Sequence, residues 1–169
     1  GVNADNAAGW LDAGASHVIV TSWVFHEGRL DADRLAMLVK TIGRERLVLD
    51  LSCRQRDGQY WVVTDRWQNF TEMTVNEATL QTLAASCGEY LVHAVDVEGQ
   101  QTGIDLALVQ TLAAHSPLPV TYAGGANSLA DLEAVQQASA GRVHLTIGSA
   151  LDIFGGDLKY TDCVAFNHR

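Results

Sequence analysis

Short apolar runs alternate along the chain with longer stretches whose apolar residues recur every three or four positions. The runs are HVIVT (17–21), RLVLDL (46–51), YLVHAV (90–95), PVTYA (119–123) and RVHLTI (142–147). Each is rich in Val, Leu or Ile with little alternation, as expected of parallel strands covered on both faces. The segments 4–13, 30–42, 74–86, 104–114 and 128–138 carry helical spacing. Their starts are signalled by Asp31 or Asp33, by Thr74 with Glu77 as a capping box, and by Ser128. Gly14, Gly43, Gly88 and Gly141 follow helices, where a left-handed residue is wanted. One unit carries an insert around DGQYWVVTDRW (57–67), in which YWVV predicts a small hairpin. From Gly155 onward the chain has no strong period and is expected to be a tail or a short helix.

Repeated βα units predict a single α/β domain over 1–169 with a parallel sheet. Five strands fit either an open doubly wound sheet or part of a closed (β/α)8 TIM barrel. The choice turns on two glycine-bearing strand ends, YAGGANS (122–128) and TIGSALD (146–152). In a barrel, the loops after the last two strands form the usual phosphate site, because close backbone approach needs glycine and helix starts offer free N–H groups. Gly124, Gly125, Gly148 and Ser149 are therefore candidate phosphate-binding residues. Either turn alone reads equally as a tight strand-to-helix connection; the pair on consecutive strands favours the barrel.

Barrel enzymes keep their catalytic groups at strand C-termini. Asp50 ends the apolar run LVLD, where a carboxyl can serve as general acid or base, or can simply cap the following turn. Asp96 and Glu98 follow YLVHAV, and His93 lies within it, either facing a substrate or filling a barrel layer. Trp67, in the insert, can stack on a heterocycle or pack in the core. Thr21 and Ser22, ending the first run, can donate to a second phosphate.

Composition narrows the partners. A net charge of −9 argues against nucleic acid or an acidic membrane surface. No apolar run approaches the roughly 20 residues that span a bilayer. Cys53, Cys87 and Cys163 are scattered, which points to a reducing compartment, and the histidines have no metal-ligand spacing. No metal is expected. Neither G-x-G-x-x-G, a P-loop nor a serine nucleophile elbow occurs.

Taken in order, GASHVIVTS, RLVLDLSCR, VVTDRW, LVHAVDVEG with GID, PVTYAGGA with ADLE, and TIGSALDIFGG resemble the eukaryotic form of the phosphoribosylformimino-aminoimidazole carboxamide ribotide isomerase family. The resemblance covers essentially the whole chain. It implies a (β/α)8 barrel of which this sequence holds about the last five units, and a cofactor-free Amadori rearrangement of a substrate with a phosphate at each end. Asp50 matches the family's general acid. Gly124, Gly125, Gly148 and Ser149 match one phosphate cradle, and Thr21 and Ser22 part of the other. Trp67 matches a loop tryptophan that stacks on the carboxamide-imidazole end. Glu98 and His93 depart from the family's more usual Asp and Thr. The family's general base lies on a first strand, so the sequence is expected to be a fragment, inactive alone and prone to associate through unpaired edges. The full-length enzyme is expected to be a monomer, cytoplasmic, or plastidic if the source is photosynthetic. The alternatives are the related barrel cyclase, which LDLSCR and DVEG fit less well, and a non-catalytic phosphate-binding module.

Overall fold

The structure, a computed structural model, describes residues 1–97 and 103–168. In chain order the elements are α1 (Ala7–Asp12), β1 (Val18–Val20), β2 (Phe25–His26), β3 (Arg29–Leu30), α2 (Ala32–Ile42), β4 (Leu47–Asp50), β5 (Cys53–Arg56), β6 (Gln59–Thr64), β7 (Asn69–Thr74), α3 (Glu77–Leu83), β8 (Glu89–His93), α4 (Leu106–His115), β9 (Val120–Ala123), α5 (Leu129–Ser139), β10 (Val143–Thr146) and α6 (Tyr160–Phe166). The five expected strands are present within one or two residues of their predicted limits, and α6 is the short helix of the tail.

Strands β1, β4, β8, β9 and β10 form one parallel sheet in that order. Spatial order follows chain order without a reversal. That is the arrangement of consecutive barrel units rather than of a doubly wound sheet, whose order turns back at a switch point. The fold is thus α/β with a five-stranded parallel sheet, consistent with part of a (β/α)8 barrel. Its core joins Leu47, Leu49, Tyr90, Val92, Val120 and Tyr122 from the sheet to Leu38, Leu80, Leu108, Leu112 and Val135 from the helices.

The two outer strands depart from the both-faces-covered expectation. Ile19 in the middle of β1 is 50% exposed, and His144 and Thr146 of β10 are exposed, because an edge strand has a neighbour on one side only. The insert is larger than a hairpin: β5, β6 and β7 make a three-stranded antiparallel sheet, and a separate β2–β3 hairpin precedes α2. The polar CRQR and NFTEMT segments hid their strands, since only Cys53 and Thr71 in them are buried.

Helices α2, α3, α4 and α5 are capped by side chains, with one correction to the expected residues, whereas α1 and α6 have no side-chain cap. Asp31 caps α2 by accepting from Arg34 N at 3.0 Å, and Asp105 caps α4 by accepting from Leu108 N at 3.0 Å. Ser128 and Asp131 form a full capping box on α5. Thr74 caps nothing: it ends β7, and Asn76 caps α3 by accepting from Thr79 N at 2.9 Å. Gly14, Gly43 and Gly141 have φ of 106°, 79° and 75°, the left-handed region expected of them. Gly88 is outside that region and is required for a different reason. A Cβ there would sit 2.8 Å from the Glu45 carbonyl oxygen, where the chain entering β8 crosses the chain entering β4.

Two predictions follow from this packing. Gly88→Ala forces the Glu45 backbone aside and should lower stability by about 1–3 kcal/mol, read as a fall in the urea midpoint at unchanged slope. Burial pushes the Cys87 thiol up to about 11, against an ordinary 9.0. The folded state therefore keeps a proton that the unfolded state loses first. Stability should be intact below the ordinary thiol range and fall as pH rises from about 9 towards 11. Urea titrations across that window check the sign.

Candidate functional site

All five parallel strands deliver a predicted site residue at their C-terminal ends. Thr21 and Ser22 follow β1, Asp50 ends β4, His93 ends β8, Gly124 and Gly125 follow β9, and Gly148 and Ser149 follow β10. The register aligns these ends: Asp50 pairs with Leu91, His93 with Ala123, and Ala123 with Thr146.

Five candidates share one cleft. Thr21, Ser22, Asp50, Trp67 and His93 line a cavity of about 510 Å³ together with Ser52, Val63, Thr64, Asp65 and Arg66. Asp50 is the most enclosed charge there, its side chain 11% exposed. Its Oδ1 accepts a hydrogen bond from Ser52 Oγ at 3.0 Å and lies 3.8 Å from His93 Nδ1. The Asp50 side chain is thus turned into the cleft instead of capping the turn after β4. The Trp67 and His93 rings stand 6.2 Å apart at 41°. Trp67 remains 38% exposed and so is not a core residue.

Trp67 reaches the cleft through an unusual turn. Asp65, Arg66 and Trp67 are consecutive left-handed residues, with φ of 52°, 57° and 67°, in the loop from β6 to β7. Each non-glycine residue in this region costs about 1–2 kcal/mol. The turn is held by its surroundings: Asp65 N donates to Ser22 Oγ at 3.3 Å, Asn69 Nδ2 donates to Asp65 Oδ2 at 2.9 Å, and Gln68 N donates to Thr64 O at 3.1 Å. Ser22 therefore acts on the loop as well as facing the cleft.

The glycines stand apart from this cavity, whose lining among the described residues includes none of Gly124, Gly125, Gly148 or Ser149. Gly124 and Gly125 are buried with φ of 121° and 75°, a backbone only glycine adopts freely, and a Cβ on Gly125 would meet the Gly103 carbonyl oxygen. The N-terminus of α5 is already served by its own carboxylate. Asp131 Oδ2 accepts from Asn127 N and Ser128 N, each at 2.9 Å. Gly148 and Ser149 are exposed and lead into a single helical turn, Asp152–Phe154.

Asp96 is engaged in structure: it accepts from Arg54 Nε and from Gln55 N, each at 2.8 Å, and so ties β5 to the turn after β8. Glu98 lies outside the described residues. Burial, followed by the nearby carboxylates of Asp105, Asp96 and Asp50, raises the Cys53 thiol far above its ordinary range and keeps it inert. Among the described residues, no group of three or more His, Cys, Asp or Glu is placed to hold a metal ion.

The sequence reading missed Ser52, Thr64, Asp65 and Arg66. A signal for Ser52 was present, since residues two apart in extended backbone share a face, and Ser52 stands two after Asp50. The others required knowing that the insert folds back over the strand ends.

A half-buried carboxyl, a partly exposed aromatic ring and glycine turns at the C-terminal ends of consecutive parallel strands define a βα-repeat protein with a cleft at those ends. The chain belongs to the histidine biosynthesis protein family, whose pattern it matches over residues 1–159. It is 52% identical over 169 residues to the chloroplastic phosphoribosyl-(phosphoribosylamino)methylideneamino-imidazole-carboxamide isomerase of Medicago truncatula, a match covering 100% of this chain and 54% of that one. The isomerase of the same name from Yarrowia lipolytica is 51% identical over 179 residues, and that from Saccharomyces cerevisiae 44% over 176; each match covers 100% of this chain and 67% of the relative. The chain thus spans about half to two thirds of the length of these relatives.

One consequence is local. Ser22→Ala removes the acceptor for the Asp65 amide, and a neutral hydrogen bond is worth about 0.5–1.5 kcal/mol. The Asp65 amide should then exchange with deuterium roughly 2- to 10-fold faster, while the amides of β4 and β8 keep their rates.

Proposed function

We propose that this chain supplies the general acid and the substrate-stacking residues of an isomerase that converts a bis-phosphorylated aminoaldose bearing an imidazole carboxamide into the aminoketose. The observation that carries the reading is Asp50, enclosed at the end of β4, facing a cleft it shares with Trp67 and His93. The relatives' names support the substrate class. In this role Asp50 gives its proton to the furanose ring oxygen as the C1–O bond breaks, and the nitrogen lone pair forms the C=N bond. A base then takes the C2 proton, and reprotonation at C1 yields the ketose. Trp67 stacks on the carboxamide-imidazole, with His93 against its ring. Thr21 and Ser22 donate to one phosphate; the turns of Gly124, Gly125, Gly148 and Ser149 donate to the other.

The five-stranded sheet corresponds, in this reading, to the last five units of an eight-stranded barrel acting as a monomer. Among the described residues no helix is long and apolar enough to cross a membrane. The compartment is a plastid in a photosynthetic source, as for the Medicago relative, and the cytoplasm otherwise. The site favours this reading over a non-catalytic phosphate module, which has no use for an enclosed carboxyl facing the cleft and is better served by apolar or hydroxyl groups there.

The test is turnover of the aminoaldose by the protein expressed from its full-length coding sequence. Asp50→Asn should lower kcat by about 10²–10⁴-fold with binding retained, the usual worth of a positioned acid. Trp67→Ala should instead raise KM by about 10-fold, the loss of one stacking interaction. A wild type that binds the compound without converting it would leave the phosphate module as the answer.

A further inference from the structure

The environment of Asp50 distinguishes its two carboxyl oxygens. Ser52 Oγ donates to Oδ1 at 3.0 Å, and His93 Nδ1 lies 3.8 Å from that same atom. Ser52 is itself buried, 2% exposed, and it is fixed from behind: Val63 N of β6 donates to its carbonyl oxygen at 2.8 Å, while Leu51 N beside it donates to Leu91 O of β8 at 2.8 Å. One residue therefore holds the acid through its side chain and the insert sheet through its main chain.

Resting on the isomerase reading, we propose that Ser52 is a positioning residue for the reaction: it locks the Asp50 carboxyl so that Oδ2 carries the transferred proton. A carboxyl turns about its last bond with little resistance, and only one of its orientations presents a proton to a ring oxygen held against Trp67. The Ser52 hydroxyl removes that freedom. It also stabilises the carboxylate left on Asp50 once the proton has gone, since a hydroxyl donated to a charged oxygen is stronger than one donated to a neutral oxygen. Because β6 continues into the turn of Asp65, Arg66 and Trp67, the same anchor fixes the distance between the acid and the stacking ring.

The experiment is a double-mutant cycle in the full-length protein, with kcat and KM measured for the aminoaldose. Ser52→Ala should lower kcat roughly 10- to 100-fold, the cost of a misplaced catalytic group, with KM nearly unchanged. Ser52→Thr, which keeps the hydroxyl, should recover most of that loss. In an Asp50→Asn background Ser52→Ala should have no further effect, because the group it orients is gone. Should Ser52→Ala fail to fold, Ser52→Cys keeps the volume with a poor donor and should show the same fall in kcat. An active wild type in which Ser52→Ala leaves kcat intact, or lowers it equally in both backgrounds, overturns the positioning role alone. An inert wild type overturns the isomerase reading, and this role with it.

Discussion

The site depends on the register of the parallel ladder. A parallel strand places its C-terminal residue beside those of its neighbours, and here the pairings Val20 with Leu49, Asp50 with Leu91, His93 with Ala123 and Ala123 with Thr146 step across the sheet without a slip. A shift of one residue in any strand would turn its side chains to the other face. It would bury Asp50 in place of Leu49. The core enforces the register, since Leu47, Leu49, Tyr90, Val92, Val120 and Tyr122 are all essentially enclosed and none can exchange places with a polar neighbour. Packing far from the cleft thus fixes which atoms face it.

The insert sheet adds what the ladder cannot supply. Parallel strand ends carry short side chains around an open mouth, and a ligand there is exposed to water on one side. Strands β5 to β7 bring an aromatic ring across that opening. They are tied to the turn after β8 by Asp96 and to the start of α4 by Tyr60, whose hydroxyl donates to the Asp105 carboxylate at 2.9 Å. Burial and the Asp105 carboxylate both push the Tyr60 phenol above its ordinary range, which favours its protonated, hydrogen-bond-donating form. With Ser22 holding Asp65 on the other side, the insert is braced between the loops after β1 and β8. That bracing is what sustains three successive left-handed residues.

Much of this was legible in the sequence because burial was uniform. The apolar runs around Leu49, Val92 and Tyr122 announced their strands, and the glycine-bearing turns at Gly124–Gly125 and Gly148 announced the ends of β9 and β10. Asp50 was legible for the same reason: a charge closing a run of Val and Leu stands out. The antiparallel strands β5 and β7 were not, because a sheet with one wet face spreads its few buried residues among Arg, Gln, Asn and Glu. Thr74 was misread because a threonine three residues before a glutamate fits a capping box locally, whereas pairing with Trp61 keeps it in β7 and passes the cap to Asn76. Gly88 signalled a turn by its type and proved to be a contact point. Ser52 lay in plain view, but its partner became evident only once the side-chain direction of Asp50 was known.

Under the proposed function, an acidic chain has to confine its attraction for a doubly anionic substrate to a few positions. The net charge of −9 makes the mean field unfavourable for a phosphate, so donors must be local and close. Two features of the structure serve that end. Asp131 places a carboxylate at the opening of α5, where it accepts from Asn127 N and Ser128 N, and its negative charge makes that helix start a poor place for an anion. The neighbouring glycine turn, lacking side chains, permits an approach of backbone N–H groups that no lysine would need to assist. At the opposite side of the mouth, Thr21, Ser22 and Arg66 supply two hydroxyls and a cation in the lining of the Asp50 cleft. In the proposed function, a substrate with a phosphate at each end would be held at its ends, with its ring carbons between Asp50 and Trp67. Such an arrangement places the binding energy away from the reacting atoms and leaves Asp50 in the enclosed position where proton transfer competes least with water.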